Sequence, residues 1–208
     1  GVAMIALALG IATDAPMALQ RMIPDYTASL EASTEGACED GACEPEHEVQ
    51  ASTDFAQCAR SGAKDCGTLP AIGATEWLNS LGEPHGTVTL VDFWSSSCVN
   101  CAREIPEVER IYEKYKDAGL VVIGVHSPQQ AHEREASVVS GAASRLGITY
   151  PVALDPELEA FKAYGANAWP THYLAGPDGQ LRSMGRGTSG LEEQIRTLLT
   201  EAGASLPN

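Results

Sequence analysis

"LVDFWSSSCVNCAREIP", residues 90–106, joins a short apolar run to a charged stretch and sets Cys98 and Cys101 between them. Residues 87–94 have the length and β-branched content of a buried strand. From Cys98 to Lys116 the pattern is helical, with Gly119 of "DAG" as the C-terminal stop. The cysteines therefore fall where a strand ends and a helix begins. Backbone N–H groups at a helix start lack intrahelical partners, and the macrodipole is positive there. A Cys98 thiolate is stabilised in that position, so its pKa falls below the free value of roughly 8.5. Cys101 lies one turn deeper on the same face. Cys98 can then attack a disulfide, and Cys101 can resolve the mixed disulfide that results. Two other uses of the pair remain open. A structural staple is rarely needed in a domain of this size. A zinc site wants a second ligand pair, and no second C-x-x-C exists, although His126 and His172 could converge on the cysteines. The expectation is no metal and no cofactor beyond a redox-active disulfide.

Working outward, strands and helices alternate. "LVVIGVH" (120–126) is a second buried strand, residues 131–146 a helix ending at Gly147, and "YPVALD" a short strand. "PELEAFKAYG" reads as a helix with Pro156 at its start and Gly165 at its end. "THYLAGPDGQLRSMG" is a hairpin around a Pro-Asp-Gly turn, and "SGLEEQIRTLLTEAG" a last helix with Ser189 as N-cap. The order β-α-β-α-β-α-β-β-α implies an α/β fold, a mixed central sheet flanked by helices, over 71–208.

The remainder divides in two. Residues 1–12, "GVAMIALALGIA", carry no charge but fall short of the roughly 20 apolar residues that span a bilayer. Residues 1–13 read as the remnant of a transmembrane helix from a longer chain; a signal-peptide core or a buried helix are the alternatives. Residues 14–70 read as an acidic linker with too few large apolar side chains to order itself. Residues 1–66 hold 11 Asp/Glu against 3 Lys/Arg, while the other 142 hold 17 against 10, giving a net charge of −15. Without a basic patch, nucleic acid is not an expected partner. The scarcity of bases around the apolar stretch points to an extracytoplasmic exit. Six cysteines lean towards an oxidising compartment. Four of them, Cys38, Cys43, Cys58 and Cys66, lie in the linker, and proximity favours structural disulfides 38–43 and 58–66 over a second relay or metal tether.

"LVDFWSSSCVNCAREIP" resembles the thioredoxin superfamily motif, with strand, aromatic, C-x-x-C and helix proline in order. The resemblance implies that Asp92, six residues before Cys98, is the family's buried acid, which takes up the Cys101 proton. It implies that Pro106 kinks the helix and that Pro170 of "AWPTHYL" is the cis-proline beside the disulfide. Trp94, Val99, Asn100, Trp169 and Pro170 are then the expected substrate-binding residues. "EWLNS", "YEKYKDAGLVVIGVHSP", "RLGITYPVALD" and "YGANAWPTHYL" are similar to the soluble domain of DipZ-type thiol:disulfide interchange proteins, relatives of the TlpA-like reductases. Residues 1–30 share that likeness. One departure stands at Ser96, where the family carries an aromatic.

The resemblance implies a membrane-tethered thiol:disulfide oxidoreductase with its thioredoxin-like domain on the extracytoplasmic (periplasmic) side. Its partners would be a CcdA-like membrane electron donor and disulfide-bearing clients, in cytochrome c maturation. An oxidase or isomerase of the same fold and a non-enzymatic copper chaperone are the alternatives, although such chaperones prefer a C-x-x-x-C spacing. A peroxidase setting has proline seven before the cysteine, where Val91 stands. "GRGTSG" (185–190) fits G-x-G-x-x-G, but the strand and acid that a dinucleotide fold needs afterwards do not follow, so a turn explains it.

Overall fold

The computed structural model describes residues 54–62, 65–80 and 82–207. The membrane-helix reading of 1–13, most of the linker, Cys38 and Cys43 lie outside the described residues. No described helix is long and apolar enough to cross a membrane.

The elements are β1 (Trp77–Leu78), β2 (Val88–Trp94), α1 (Val99–Tyr115), β3 (Leu120–His126), α2 (Ala136–Leu146), β4 (Val152–Leu154), α3 (Glu159–Ala163), β5 (Thr171–Ala175), β6 (Leu181–Gly185) and α4 (Leu191–Glu201). They form one mixed six-stranded sheet in the order β1-β4-β3-β2-β5-β6. Strands β2, β3 and β4 run parallel; β1, β5 and β6 join antiparallel. The expected α/β fold with a mixed, helix-flanked sheet is thus present, with β1 added at the edge.

Because successive strand residues point to opposite faces, β2 feeds two cores. Leu90 and Trp94 pack with Ile105, Val108 and Ile111 of α1 and Ile195 and Leu199 of α4. Val91 and Phe93 face the other way, against Phe161, Tyr164 and Tyr173. Phe93 meets those three rings edge-on at 5.1–5.7 Å.

Several boundaries differ from the expectation. The linker does not run unstructured to residue 70. Residues 54–60 are helical, with Phe55, Ala56 and Ala59 buried. Phe55 fits edge-on to Tyr164 at 5.7 Å, a disulfide joins Cys58 to Cys66, and Thr68 bridges to Gln180. One aromatic and two alanines suffice here because the rings of Tyr164 and Tyr173 supply the other side of the contact. Phe55→Ala is expected to cost about 3 kcal/mol in urea-unfolding stability; a change below about 1 kcal/mol would show the segment to be outside the cooperative unit.

Helix α3 is shorter than expected at its start. The Asp155 carboxylate accepts from the N–H groups of Ala160 and Phe161 and from Ser127 Oγ, and Leu158 takes a left-handed φ of 62° before the helix begins. Helix α4 is capped by Gly190, φ 75°, rather than by Ser189. The 131–146 helix is interrupted: a 3-10 turn, Ala131–Arg134, precedes α2.

Candidate active site

Cys98 is the N-cap of α1, in extended conformation, and its Sγ accepts from the Cys101 N–H at 3.1 Å. The two cysteines form a disulfide with Cα atoms 5.2 Å apart. Cys98 is 8% exposed and Cys101 1%, so Cys98 is the sulfur an incoming group reaches. Val99, next to it, is 65% exposed, and Asn100 is exposed too. Pro106 lies inside α1.

The expected client-contacting set divides. Val99 and Asn100 stand on the surface. Trp169 is half-buried and stacks on Phe161, 4.4 Å between centroids, with its Nε1 buried. The Trp169–Pro170 peptide is cis and Pro170 is buried. Pairing of Thr171 with Phe93 brings Pro170 level with the end of β2, where the chain enters the cysteine loop. Trp94 must be removed from the set: it is 0% exposed, packed in the core that α1 covers, and no client can touch it. Strand alternation explains this, since Trp94 shares a face with Leu90.

Asp92 lies on that same face, 1% exposed, in register with Gly124 on one side and His172 on the other. Gly124 has to be glycine, because a Cβ there would lie 2.8 Å from the Tyr150 ring and 3.1 Å from Trp94 Nε1. His172 Nδ1 is 3.1 Å from Asp92 Oδ1, an ion-pair distance without hydrogen-bond alignment. Its Nε2 is 3.1 Å from Glu104 Oε2 on α1, which also accepts from Gly187 N–H at 3.2 Å. Burial works against a charge on His172, but the Asp92 carboxylate and then Glu104 outweigh it and raise the pKa to about 9. The "GRGTSG" turn therefore ties to α1 through Gly187.

Residues 95–97 form the link from β2 to Cys98. Cys98 N–H closes a turn onto Ser95 O at 3.1 Å. Glu133, 0% exposed in the 3-10 turn after β3, lies against this link. Its Oε1 accepts from Ser96 Oγ at 2.6 Å and Ser97 N–H at 2.7 Å. Its Oε2 accepts from the N–H groups of Gln129 and Gln130 at 2.6 and 2.9 Å, and Ser95 Oγ is 3.0 Å from both oxygens. His126 Nε2 accepts from Ser96 N–H at 3.1 Å, and its ring stands edge-on to Trp94 at 4.8 Å. Burial pushes the His126 pKa down to about 4, so the ring is neutral at pH 7. The two histidines do not converge: one holds the serine turn, the other pairs with Asp92. Among the described residues, no group of three or more His, Cys, Asp or Glu is placed to hold a metal ion.

Glu133 and Glu104 stand at the candidate site and are not among the residues expected from the sequence. The serine run does not name its acceptor: Ser95 is buried, Ser96 half-buried and Ser97 exposed, and only the fold brings Glu133 to them.

Residues 69–184 match the AhpC/TSA family. Over 98% of its length the chain is 39% identical to Protein DipZ of Mycobacterium tuberculosis (strain CDC 1551 / Oshkosh), but it covers only 32% of that protein. It is 31% identical over 139 residues to thiol-disulfide oxidoreductase YkuV of Bacillus subtilis (strain 168), covering 62% of this chain and 91% of the relative. The solution structure of a thioredoxin-like protein in the oxidized form is similar with a TM-score of 0.59 at 29% identity, over 65% of this chain and 96% of that one. The chain belongs to the AhpC/TSA family, as a thiol-disulfide oxidoreductase of thioredoxin-like fold.

Proposed function

We propose that the domain is a reductase, tethered to the extracytoplasmic side of the cell membrane, that passes electrons from a CcdA-like membrane partner to client disulfides through Cys98 and Cys101. The observation that carries this reading is the asymmetry of the pair, with Cys98 at the mouth of α1 beside exposed Val99 and Cys101 buried behind it. Cys98 gives up its proton to solvent, its thiolate attacks one client sulfur and the client S–S bond breaks, leaving a mixed disulfide and a client thiolate that takes up a proton from solvent. Asp92 takes the Cys101 proton, the Cys101 thiolate attacks Cys98 Sγ, and the second client thiolate leaves and is protonated. Two electrons and two protons have passed to the client. The membrane partner restores the dithiol.

The tether and the donor are supported by the uncharged stretch 1–12, its acid-dominated flank, and the similarity to DipZ over nearly the whole chain. An apocytochrome awaiting haem is the client class that the DipZ-type resemblance favours.

The test is the reduction potential of Cys98–Cys101, by equilibrium with dithiothreitol or glutathione. A value near roughly −270 mV is expected for a donor. A value near roughly −120 mV would replace the reductase with an oxidase or isomerase.

A further inference from the structure

Every residue between β2 and Cys98 is held by Glu133 or His126, side chains that enter from β3 and the turn after it. A carboxylate enclosed by donors alone is an unusual thing to bury, since a hydroxyl or amide could fill the same space without a charge. Burial pushes the Glu133 pKa up, and the hydrogen bonds from Ser96, Gln130, Gln129 and Ser97 outweigh this and hold it at about 2. The carboxylate is therefore ionised at neutral pH.

We infer that Glu133 is a positioning residue for Cys98: its buried carboxylate fixes the serine turn and sets a negative charge on the link that leads into the attacking cysteine, biasing the pair towards electron donation. The inference rests on the reading of Cys98–Cys101 as an exchanging pair. Ser97 N–H donates to Glu133 Oε1, and one peptide bond further on lies Cys98. The α1 N-terminus favours a thiolate at Cys98, while a fixed anion bonded to the residue before it disfavours it. A less stable thiolate means a less stable reduced form, hence a stronger donor. His126, neutral and accepting from Ser96 N–H, supplies no counter-charge.

Reduction by glutathione tests this. Two glutathione thiols become one disulfide, and Cys98–Cys101 takes up two electrons and two protons. In Glu133→Gln the equilibrium should move about tenfold towards the dithiol, about 30 mV for a two-electron couple, and reduced Cys98 should react faster with iodoacetamide at pH 7. Ser96→Ala keeps the charge but removes one of its donors. It should move both readouts the other way, at least about twofold. Opposite signs are what a merely structural carboxylate cannot produce.

If either variant leaves both readouts at the wild-type value, or if both move them the same way, the inference is overturned. Should Glu133→Gln fail to fold, Ser96→Ala decides alone: slower alkylation supports the inference, unchanged or faster alkylation ends it. Failure of the underlying reading looks different, since the wild-type pair itself would then not equilibrate with glutathione.

Discussion

Cys101→Ser is expected to accumulate mixed disulfides with clients, and Cys98→Ser to accumulate none. Both should lose at least about three decades of disulfide-reductase turnover, on the order of 4 kcal/mol at the transition state. The argument begins with access. Cys98 shows 8% of its surface and Cys101 1%, so only Cys98 meets a client sulfur. Serine at 98 keeps an oxygen where Sγ now accepts the Cys101 N–H, and serine is a favoured N-cap, so α1 should keep its start. What disappears is the nucleophile. With serine at 101 the attack still occurs, but nothing displaces the client from Cys98. Acid quenching of a reaction with a disulfide-bonded peptide, followed by mass spectrometry under non-reducing conditions, reads both outcomes. Equal trapping by the two variants would show that the attacking and resolving roles are wrongly assigned.

The parts of this site that were legible in the sequence are those encoded locally. A β-branched run before the cysteines and a periodic helix after them place Cys98 at a helix start, and the structure has it as the N-cap of α1. Trp94 was misread although the means to read it were present. Two-residue alternation from Leu90 through Asp92 puts it on the α1-covered face, whereas the family resemblance implies a substrate-binding residue there. Glu133 was illegible for a different reason. It sits in "HERE", which reads as solvated charge, and only the return of the chain after β3 brings it beneath residues 95–97. Strand register decides the case of His172: Asp92 faces it directly across the β2–β5 ladder, and no local pattern pairs residues eighty positions apart in the chain. The helical segment 54–60 is masked by the long acidic stretch around it, whose one large apolar side chain there, Phe55, enters the aromatic core together with Ala59.

Unfolding free energy should reach a maximum near pH 6.5 and fall on both sides, because the two buried histidines have pKa values displaced in opposite directions. His172 is held at about 9 in the folded chain, against about 6.5 for a free imidazole. Above 6.5 the unfolded chain gives up this proton and the folded chain keeps it, so stability is fully present below 6.5 and is lost as pH rises towards 9. The difference corresponds to about 3 kcal/mol. His126 behaves in reverse. Its folded pKa is about 4, so between 6.5 and 4 only the unfolded chain binds the proton, and stability falls with falling pH. Glu133 extends the acid loss, since its carboxylate stays ionised down to about 2 while an unfolded glutamate protonates near 4.3. Urea titrations of the wild type at pH 6.5 and 9.5 isolate the His172 contribution. His172→Gln keeps a polar side chain but leaves Asp92, 1% exposed, without its cation. That variant should lose about 3 kcal/mol at pH 6.5, in keeping with the cost of stranding one member of a buried pair, and should show no further loss between 6.5 and 9.5. A wild-type stability that stays flat across the alkaline window would mean that His172 carries no proton to lose. Asp92 would then lie in the core beside a neutral ring.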